Sequence, residues 1–160
     1  MTTSCALLLC LTLLSAENMS VEKTETRARN CIELAQLAAD QKLDPLMVIS
    51  IAHTESRFSK VAVSSAGAIG MMQVLPKYFC PKTGKCDYTA AGLRAWRAWS
   101  KGRSREEALC RYNSGKPCKK SPLASHYSRV VMKKHRILKK EFLEFEYCSC
   151  LLYTSDAADE

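Results

Sequence analysis

Apolar residues recur along most of the chain at the spacing of α-helices, and no segment alternates convincingly enough for a strand of useful length. The first such pattern predicts a helix from about Val21 to Lys42. Its apolar face consists of Cys31, Leu34, Ala35 and Ala38. Asp44-Pro45 has the form of an N-cap followed by proline at the first helical position, and it predicts a helix ending near Glu55. The predicted fold class is all-α.

Three later segments also have helical spacing. They run from Thr89 to Ser100, from Ser104 to Tyr112 and from Ser121 to about Lys140. Ser104 and Glu107 match a capping box, in which serine and glutamate satisfy backbone groups at a helix start. Trp96 and Trp99 lie three residues apart, so we interpret both as core residues rather than as platforms for sugars.

The two ends of the chain differ in composition from its centre. Residues 1–16 contain a short apolar run followed by Ser15-Ala16, which is typical of a signal peptide. Residues 17–140 have the length of one domain. Residues 141–160 are predicted to be a non-native or disordered tail, because residues 148–160 look like a translated sequencing adapter. A genuine acidic tail is the alternative.

The charge is distributed unevenly. All 24 lysines and arginines lie in residues 1–140 with 10 acidic residues, whereas residues 141–160 hold six acids and no base. A strongly basic body concentrates anionic polymers at its surface. Nucleic acid, anionic lipid and acidic cell-wall glycan all fit that description, and so does a merely solubilising surface.

Nine cysteines are many for a chain of this size. Cys80 with Cys86, and Cys110 with Cys118, bracket short loops rich in glycine, proline and lysine. Two local disulfides are the favoured interpretation in an oxidising compartment, and a four-cysteine zinc site is the alternative. The pairing of Cys31 stays open.

One acidic residue occupies an apolar face. Glu55 continues the stripe formed by Val48, Ile51 and Ala52. A carboxyl held against apolar side chains resists ionisation and can carry a proton near neutral pH, as a general acid must. His53, on the same helix, is interpreted as a surface histidine.

No second acid accompanies Glu55. Retaining and inverting glycosidases ordinarily need two carboxylates. The next acids are Asp87, Glu106 and Glu107, of which the last two are explained as acids at a helix start. A one-acid mechanism fits the sequence better than a two-acid hydrolysis.

Four motifs occur in an order that resembles the soluble lytic transglycosylases (SLT), a family of the lysozyme-like superfamily. They are Glu55-Ser56-Arg57-Phe58, the segment from Ala62 to Pro76, the segment from Ala108 to Gly115, and Tyr127. The resemblance covers about residues 30–135. It implies a lysozyme-like single helical domain with a Gly-rich turn after the catalytic helix.

The resemblance also implies a reaction and its residues. Glu55 would be the sole catalytic acid and base for cleavage of the β-1,4 bond between N-acetylmuramic acid (MurNAc) and N-acetylglucosamine (GlcNAc), with formation of 1,6-anhydro-MurNAc. The implied substrate-binding residues are Ser56, Met72, Gln73, Tyr112, Asn113 and Tyr127. No metal or other cofactor is implied.

The chain departs from the family pattern at three places. Met71 stands where the family usually has leucine, and Arg111 replaces the alanine of the family's A-Y-N motif. Residues 86–93 lack the asparagine of the usual N-I pair. These departures concern the subsites rather than the chemistry.

The resemblance finally implies a setting. The partner would be the glycan strands of peptidoglycan rather than nucleic acid, and the protein would act as a monomer in the periplasm or outside the cell, in association with the wall. The resemblance is also compatible with a role in a secretion, conjugation or phage assembly. Two alternatives stay open: a goose-type lysozyme hydrolysing the same bond, and a basic nucleic-acid-binding module without enzymatic activity.

Overall fold

The computed structural model describes residues 3–155, with side chains for residues 3–145. Within these residues the fold is all-α without a β-strand, as predicted. The helices are α1 (Thr3–Leu14), α2 (Val21–Asp40), α3 (Pro45–Ser56), α4 (Pro76–Phe79), α5 (Tyr88–Ser100), α6 (Arg105–Ser114) and α7 (Pro122–Ser155), with a 3₁₀ turn at Cys118–Lys120.

Helix α3 lies at the centre of the molecule, in contact with α2 and α7. Asp44 caps its start by accepting hydrogen bonds from the backbone N–H groups of Leu46 and Met47, at 3.0 and 3.3 Å. Every residue from Met47 to His53 is buried. A helix buried on all sides has no solvated face, which makes it a rigid support for whatever its last turn carries.

The chain turns sharply after α3. Arg57 and Phe58 both adopt left-handed backbone conformations, with φ of 51° and 63°. The side chain of Phe58 is fully buried, and the amide nitrogen of Asn30 on α2 donates a hydrogen bond of 2.9 Å to its carbonyl. Buried packing and this hydrogen bond together hold a backbone conformation that non-glycine residues seldom adopt.

The predicted signal peptide coincides largely with α1. This helix packs against α2 and α7, its Leu9 and Leu14 are buried, and Cys10 forms a disulfide with Cys31 of α2. The structure therefore answers the open question of a partner for Cys31. Removal of residues 1–16 stays a prediction.

Two further disulfides are those favoured from the sequence, Cys80–Cys86 and Cys110–Cys118. The first closes the loop between α4 and α5, and the second ties the middle of α6 to the 3₁₀ turn. Both cross-links lie in segments that border the candidate active site described below.

The predicted tail begins inside α7. The backbone of that helix continues to Ser155, side chains beyond residue 145 are not described, and residues 156–160 lie outside the described residues. The non-native origin of residues 148–160 stays a prediction.

Over the described residues, none of the helices combines the length and the apolar character needed to cross a membrane.

Candidate active site

A cleft of about 720 Å³ opens beside the last turn of α3. Its walls come from the loop after α3, from α4 and α5, and from the end of α6. The lining residues are Glu55, Ser64, Ala66, Ala68, Gln73, Val74, Leu75, Tyr78, Phe79, Ala95, Trp99, Arg111, Tyr112, Asn113, Ser114 and Gly115. The volume is that of a typical ligand site, and Glu55 and Arg111 are the charged members of this lining.

Glu55 projects from the last turn of α3 into this cleft. The Tyr127 hydroxyl donates a hydrogen bond of 2.6 Å to its Oε1. Burial raises the pKa of Glu55 to about 7, although the hydrogen bond from Tyr127 acts in the opposite direction by favouring the carboxylate. A carboxyl poised at this pKa can give a proton and take one back near neutral pH.

Tyr112 and Tyr127 both lie near the Glu55 carboxyl. Burial and the nearby charge of Glu55 raise the pKa values of Tyr112 and Tyr127 well above the usual range, so both hydroxyls remain protonated donors. The Tyr112 hydroxyl donates to the Met72 carbonyl at 2.6 Å. Tyr127 therefore orients the acid, whereas Tyr112 fixes the loop beside it.

Ser56 connects α3 to the loop. Its Oγ donates to the Met71 carbonyl at 2.8 Å and accepts from the Ser59 N–H at 2.9 Å. Ser56 is absent from the cleft lining. The structure gives this serine a bracing contact, and its predicted hydrogen bond to substrate stays a prediction.

Met72 occupies a different place from the one expected. Its side chain is fully buried and lies against Gly92 of α5, where an added Cβ would come within 2.7 Å of the Met72 Cβ. The side chain therefore packs on α5 in this structure, and its contact with a sugar stays a prediction. Only a residue without a side chain allows α5 to approach so closely.

Gln73 and Asn113 both line the cleft, as the sequence analysis expected. The Gln73 amide nitrogen donates to the carbonyls of Ala62 and Gly70, at 3.1 and 3.0 Å, from a left-handed backbone with φ of 49°. These bonds orient the amide and keep the loop folded. Binding of saccharide by either amide stays a prediction.

Two further residues of the cleft were not among the predicted site residues. Trp99, interpreted as core, lines the cleft, whereas Trp96 is buried as expected. Arg111 lines it too, and its replacement of a small residue was the one available signal. Glu107, interpreted as half of a capping box, accepts from Arg111 Nε at 2.9 Å, while Ser104 does cap the Glu107 N–H at 3.3 Å.

The interpretation of His53 as a surface residue is wrong. Its ring is 5% exposed, and Nδ1 lies 2.8 Å from Lys134 Nζ. Burial, aided by the charge of Lys134, lowers the pKa of His53 to about 4 despite the opposing charge of Glu17. The Lys134 ammonium also donates to Thr54 Oγ1 at 3.1 Å, so this polar cluster packs behind α3, away from the cleft.

Comparison with known proteins gives a family and a short list of relatives. Residues 33–133 match the transglycosylase SLT domain family. The chain is also 41% identical over 59 residues to membrane-bound lytic murein transglycosylase C of Haemophilus influenzae strains PittEE and PittGG. That match covers 36% of this chain and 16% of each relative, so the chain spans a small part of their length.

No solved structure matches this chain.

Proposed function

This chain belongs to the transglycosylase SLT domain family, and we propose that it is a peptidoglycan lytic transglycosylase cleaving the β-1,4 bond between MurNAc and GlcNAc. The observation that carries the proposal is Glu55, a carboxyl with a pKa of about 7 inside a cleft and hydrogen-bonded by Tyr127. The match to lytic murein transglycosylases supports the same assignment.

The first half of the reaction uses the protonated form of Glu55. Its proton passes to the glycosidic oxygen, the bond from that oxygen to C1 of MurNAc breaks, and GlcNAc leaves with a free hydroxyl. Positive charge then develops at C1 in an oxocarbenium-like transition state. Apolar walls around the acid favour its neutral form, so about half of the molecules carry the proton at pH 7.

The second half uses the carboxylate that remains. Glu55 takes the proton of the C6 hydroxyl of MurNAc as that oxygen attacks C1, and a new C1–O6 bond closes the 1,6-anhydro ring. No water is consumed. In support, Glu55 is the one carboxylic acid that residues 3–145 contribute to the cleft lining, and the nearby Glu107 is engaged by Arg111 and by the Cys118 N–H.

Digestion of purified cell walls tests both the activity and its product. We expect anhydromuropeptides from the wild type, lighter by one water than hydrolysed muropeptides, and neither product from Glu55→Gln. Glu25→Gln, at an exposed position on α2, is the matched control and should behave as wild type.

Two other results would revise the proposal. Reducing-end muropeptides would indicate a goose-type lysozyme reaction in the same cleft. Unchanged wall digestion by Glu55→Gln would contradict the proposed function. Salt-dependent DNA binding would then favour the alternative of a nucleic-acid-binding module.

We also propose that the protein works at the cell wall, in the periplasm or outside the cell, as a monomer. The disulfides Cys80–Cys86 and Cys110–Cys118, which the exported chain would keep, are typical of an oxidising compartment. If residues 1–16 act as a cleaved signal peptide, cleavage removes α1 from the core and takes away Cys10, the disulfide partner of Cys31. The intact mass of the exported protein tests this: a chain beginning at Glu17 is expected, and retention of the Cys10–Cys31 bond would contradict it. A role in a secretion, conjugation or phage assembly stays a prediction.

A further inference from the structure

Arg111 brings a positive charge into the cleft, opposite in sign to the catalytic acid. We propose that Arg111 is a specificity-determining residue that binds a carboxylate of the glycan substrate. The inference rests on the proposed function and deepens it, because it names the substrate group that the cleft recognises. Two parts of peptidoglycan carry such a group: the lactyl ether of MurNAc where no peptide is attached, and the stem peptide where one is.

The guanidinium of Arg111 is held in place by Glu107. Arg111 Nε donates to Glu107 Oε1 at 2.9 Å, one turn away on α6. Glu107 Oε2 in turn accepts from the Cys118 N–H at 3.2 Å. The Cys110–Cys118 disulfide joins α6 to that same turn. It therefore links the helix that carries Arg111 and Glu107 covalently to the residue whose N–H bonds Glu107.

This support leaves one edge of the guanidinium available. In residues 3–145, the hydrogen bond to Glu107 is the one that the Arg111 side chain makes, and it uses Nε. The two terminal nitrogens have four more N–H donors. Arginine whose geometry is fixed loses little freedom when it forms a paired contact with a carboxylate, and such charge-assisted pairs are stronger than neutral ones.

Arg111 does not serve the acid. Its side chain donates to Glu107, whereas the hydrogen bond to the Glu55 carboxyl comes from Tyr127. Its charge is therefore free to act on the substrate. Glu107 compensates part of that charge, which explains how a cation can stay in a largely apolar cleft until a second carboxylate arrives.

Binding measurements test this without cleavage. Titration calorimetry in a Glu55→Gln background would use a peptide-free GlcNAc–MurNAc tetrasaccharide, its methyl ester, and the same tetrasaccharide carrying stem peptides. Arg111→Ala should weaken binding of a carboxylate-bearing ligand by about tenfold or more and leave the ester unchanged. Arg111→Lys should recover part of the loss, since it keeps the charge but not the fork.

The ligand affected identifies the carboxylate. A loss on the peptide-free sugar assigns the lactyl group, and a loss confined to the peptide-bearing sugar assigns the stem. Equal weakening of the ester, or no weakening of any ligand, would overturn the inference. Arg136→Ala, which removes an exposed arginine of α7, controls for net charge, and thermal unfolding by circular dichroism confirms that each variant is folded.

The proposed function fails in a different way. If Glu55→Gln with Arg111 intact bound none of the three glycans, the cleft would not be a glycan site and the inference would fall with it. If all three bound, but with no dependence on Arg111, only the inference would be lost. The pH dependence of wall digestion adds a separate check. The fall in rate at higher pH reports deprotonation of Glu55, and Arg111→Ala should leave the pH of that fall unchanged.

Discussion

Glu55 and His53 stand two residues apart on α3, and burial drives both towards their uncharged forms. The pKa of Glu55 rises to about 7 and that of His53 falls to about 4. Glu55 opens to the cleft, whereas His53 faces Lys134, Glu17 and Arg57 behind the helix. The same physical cause therefore produces a chemically useful group on one side and an inert one on the other.

The difference between them lies in access. Glu55 meets a cavity large enough for saccharide and a hydroxyl that orients it, while the Nδ1 of His53 is occupied by Lys134. A displaced pKa marks a candidate site only where substrate can reach the group. His53 shows that a structural polar cluster can displace a pKa equally far.

Activity should show the largest contrast. Glu55→Gln is expected to lower the rate of wall digestion by about 10²–10⁴-fold, the usual value of a general acid. His53→Gln should retain a rate within about threefold of wild type at a temperature where both are folded, because no substrate atom reaches it. Turbidity loss of a wall suspension measures both, and a comparable loss in the two variants would break the comparison.

At alkaline pH, the buried Glu55 should lower the free energy of unfolding. Its pKa is higher in the folded chain than in the unfolded one, so the unfolded state releases its proton first and stability falls as pH rises from about 4.5 through 7. Glu55→Gln removes this penalty, on the order of 3 kcal/mol near pH 8. Urea unfolding at about pH 8 and pH 4 checks it: the gain should vanish at the lower pH.

Stability at acidic pH should reveal the opposite slope from His53. The unfolded histidine binds a proton as pH falls through about 6.5, while the folded one resists until about 4. The contribution of His53 to the stability of the wild type should therefore fall by on the order of 3 kcal/mol across that window, against the opposing gain from Glu55, and this fall should be absent from His53→Gln. If the urea midpoints of wild type and His53→Gln changed equally with pH over this range, His53 would have its ordinary pKa in the folded protein.

A smaller effect is expected at Tyr127. Its hydrogen bond favours the charged form of Glu55, so Tyr127→Phe should raise the pKa of the acid and move the descending limb of the pH–rate profile upwards by on the order of one unit. The profile of kcat/KM measures the shift. Tyr112→Phe is the matched comparison, because its hydroxyl bonds a carbonyl rather than the acid.

The smallest effect is expected at Lys134. Its charge helps to lower the pKa of His53, so Lys134→Met should raise that pKa towards its ordinary value. An NMR titration of the His53 ring measures the change, with exposed Lys133→Met as the control. An unshifted titration would show that the charge of Lys134 does not contribute to the low pKa of His53.

Sequence patterns predicted what depends on local spacing. The apolar face of α2, the Asp44 cap and the place of Glu55 at the end of a buried helix all follow from periodicity and turn chemistry, and the fold class is confirmed. The disulfides Cys80–Cys86 and Cys110–Cys118 were readable because short loops bring their ends together.

Packing between distant segments could not be predicted from the sequence. His53 was misplaced because periodicity assumes one solvated face, and α3 has none. Glu107 matched a capping box, yet its carboxyl turns to Arg111 and to the Cys118 N–H once the 3₁₀ turn folds against α6. Met72 is buried because α5 carries a glycine opposite it, a pairing twenty residues apart that no local pattern records.

Gly92 of α5 affects the shape of the cleft although it does not line the cleft itself. Gly92 sets how near the helix can come to Met72, whose carbonyl is in turn held by the Tyr112 hydroxyl. Any added side chain would push the loop outward and carry the tyrosine's anchor with it. Substitution of Gly92 should thus change the depth of the cleft from a position outside it, without altering Glu55 or its hydrogen bond from Tyr127.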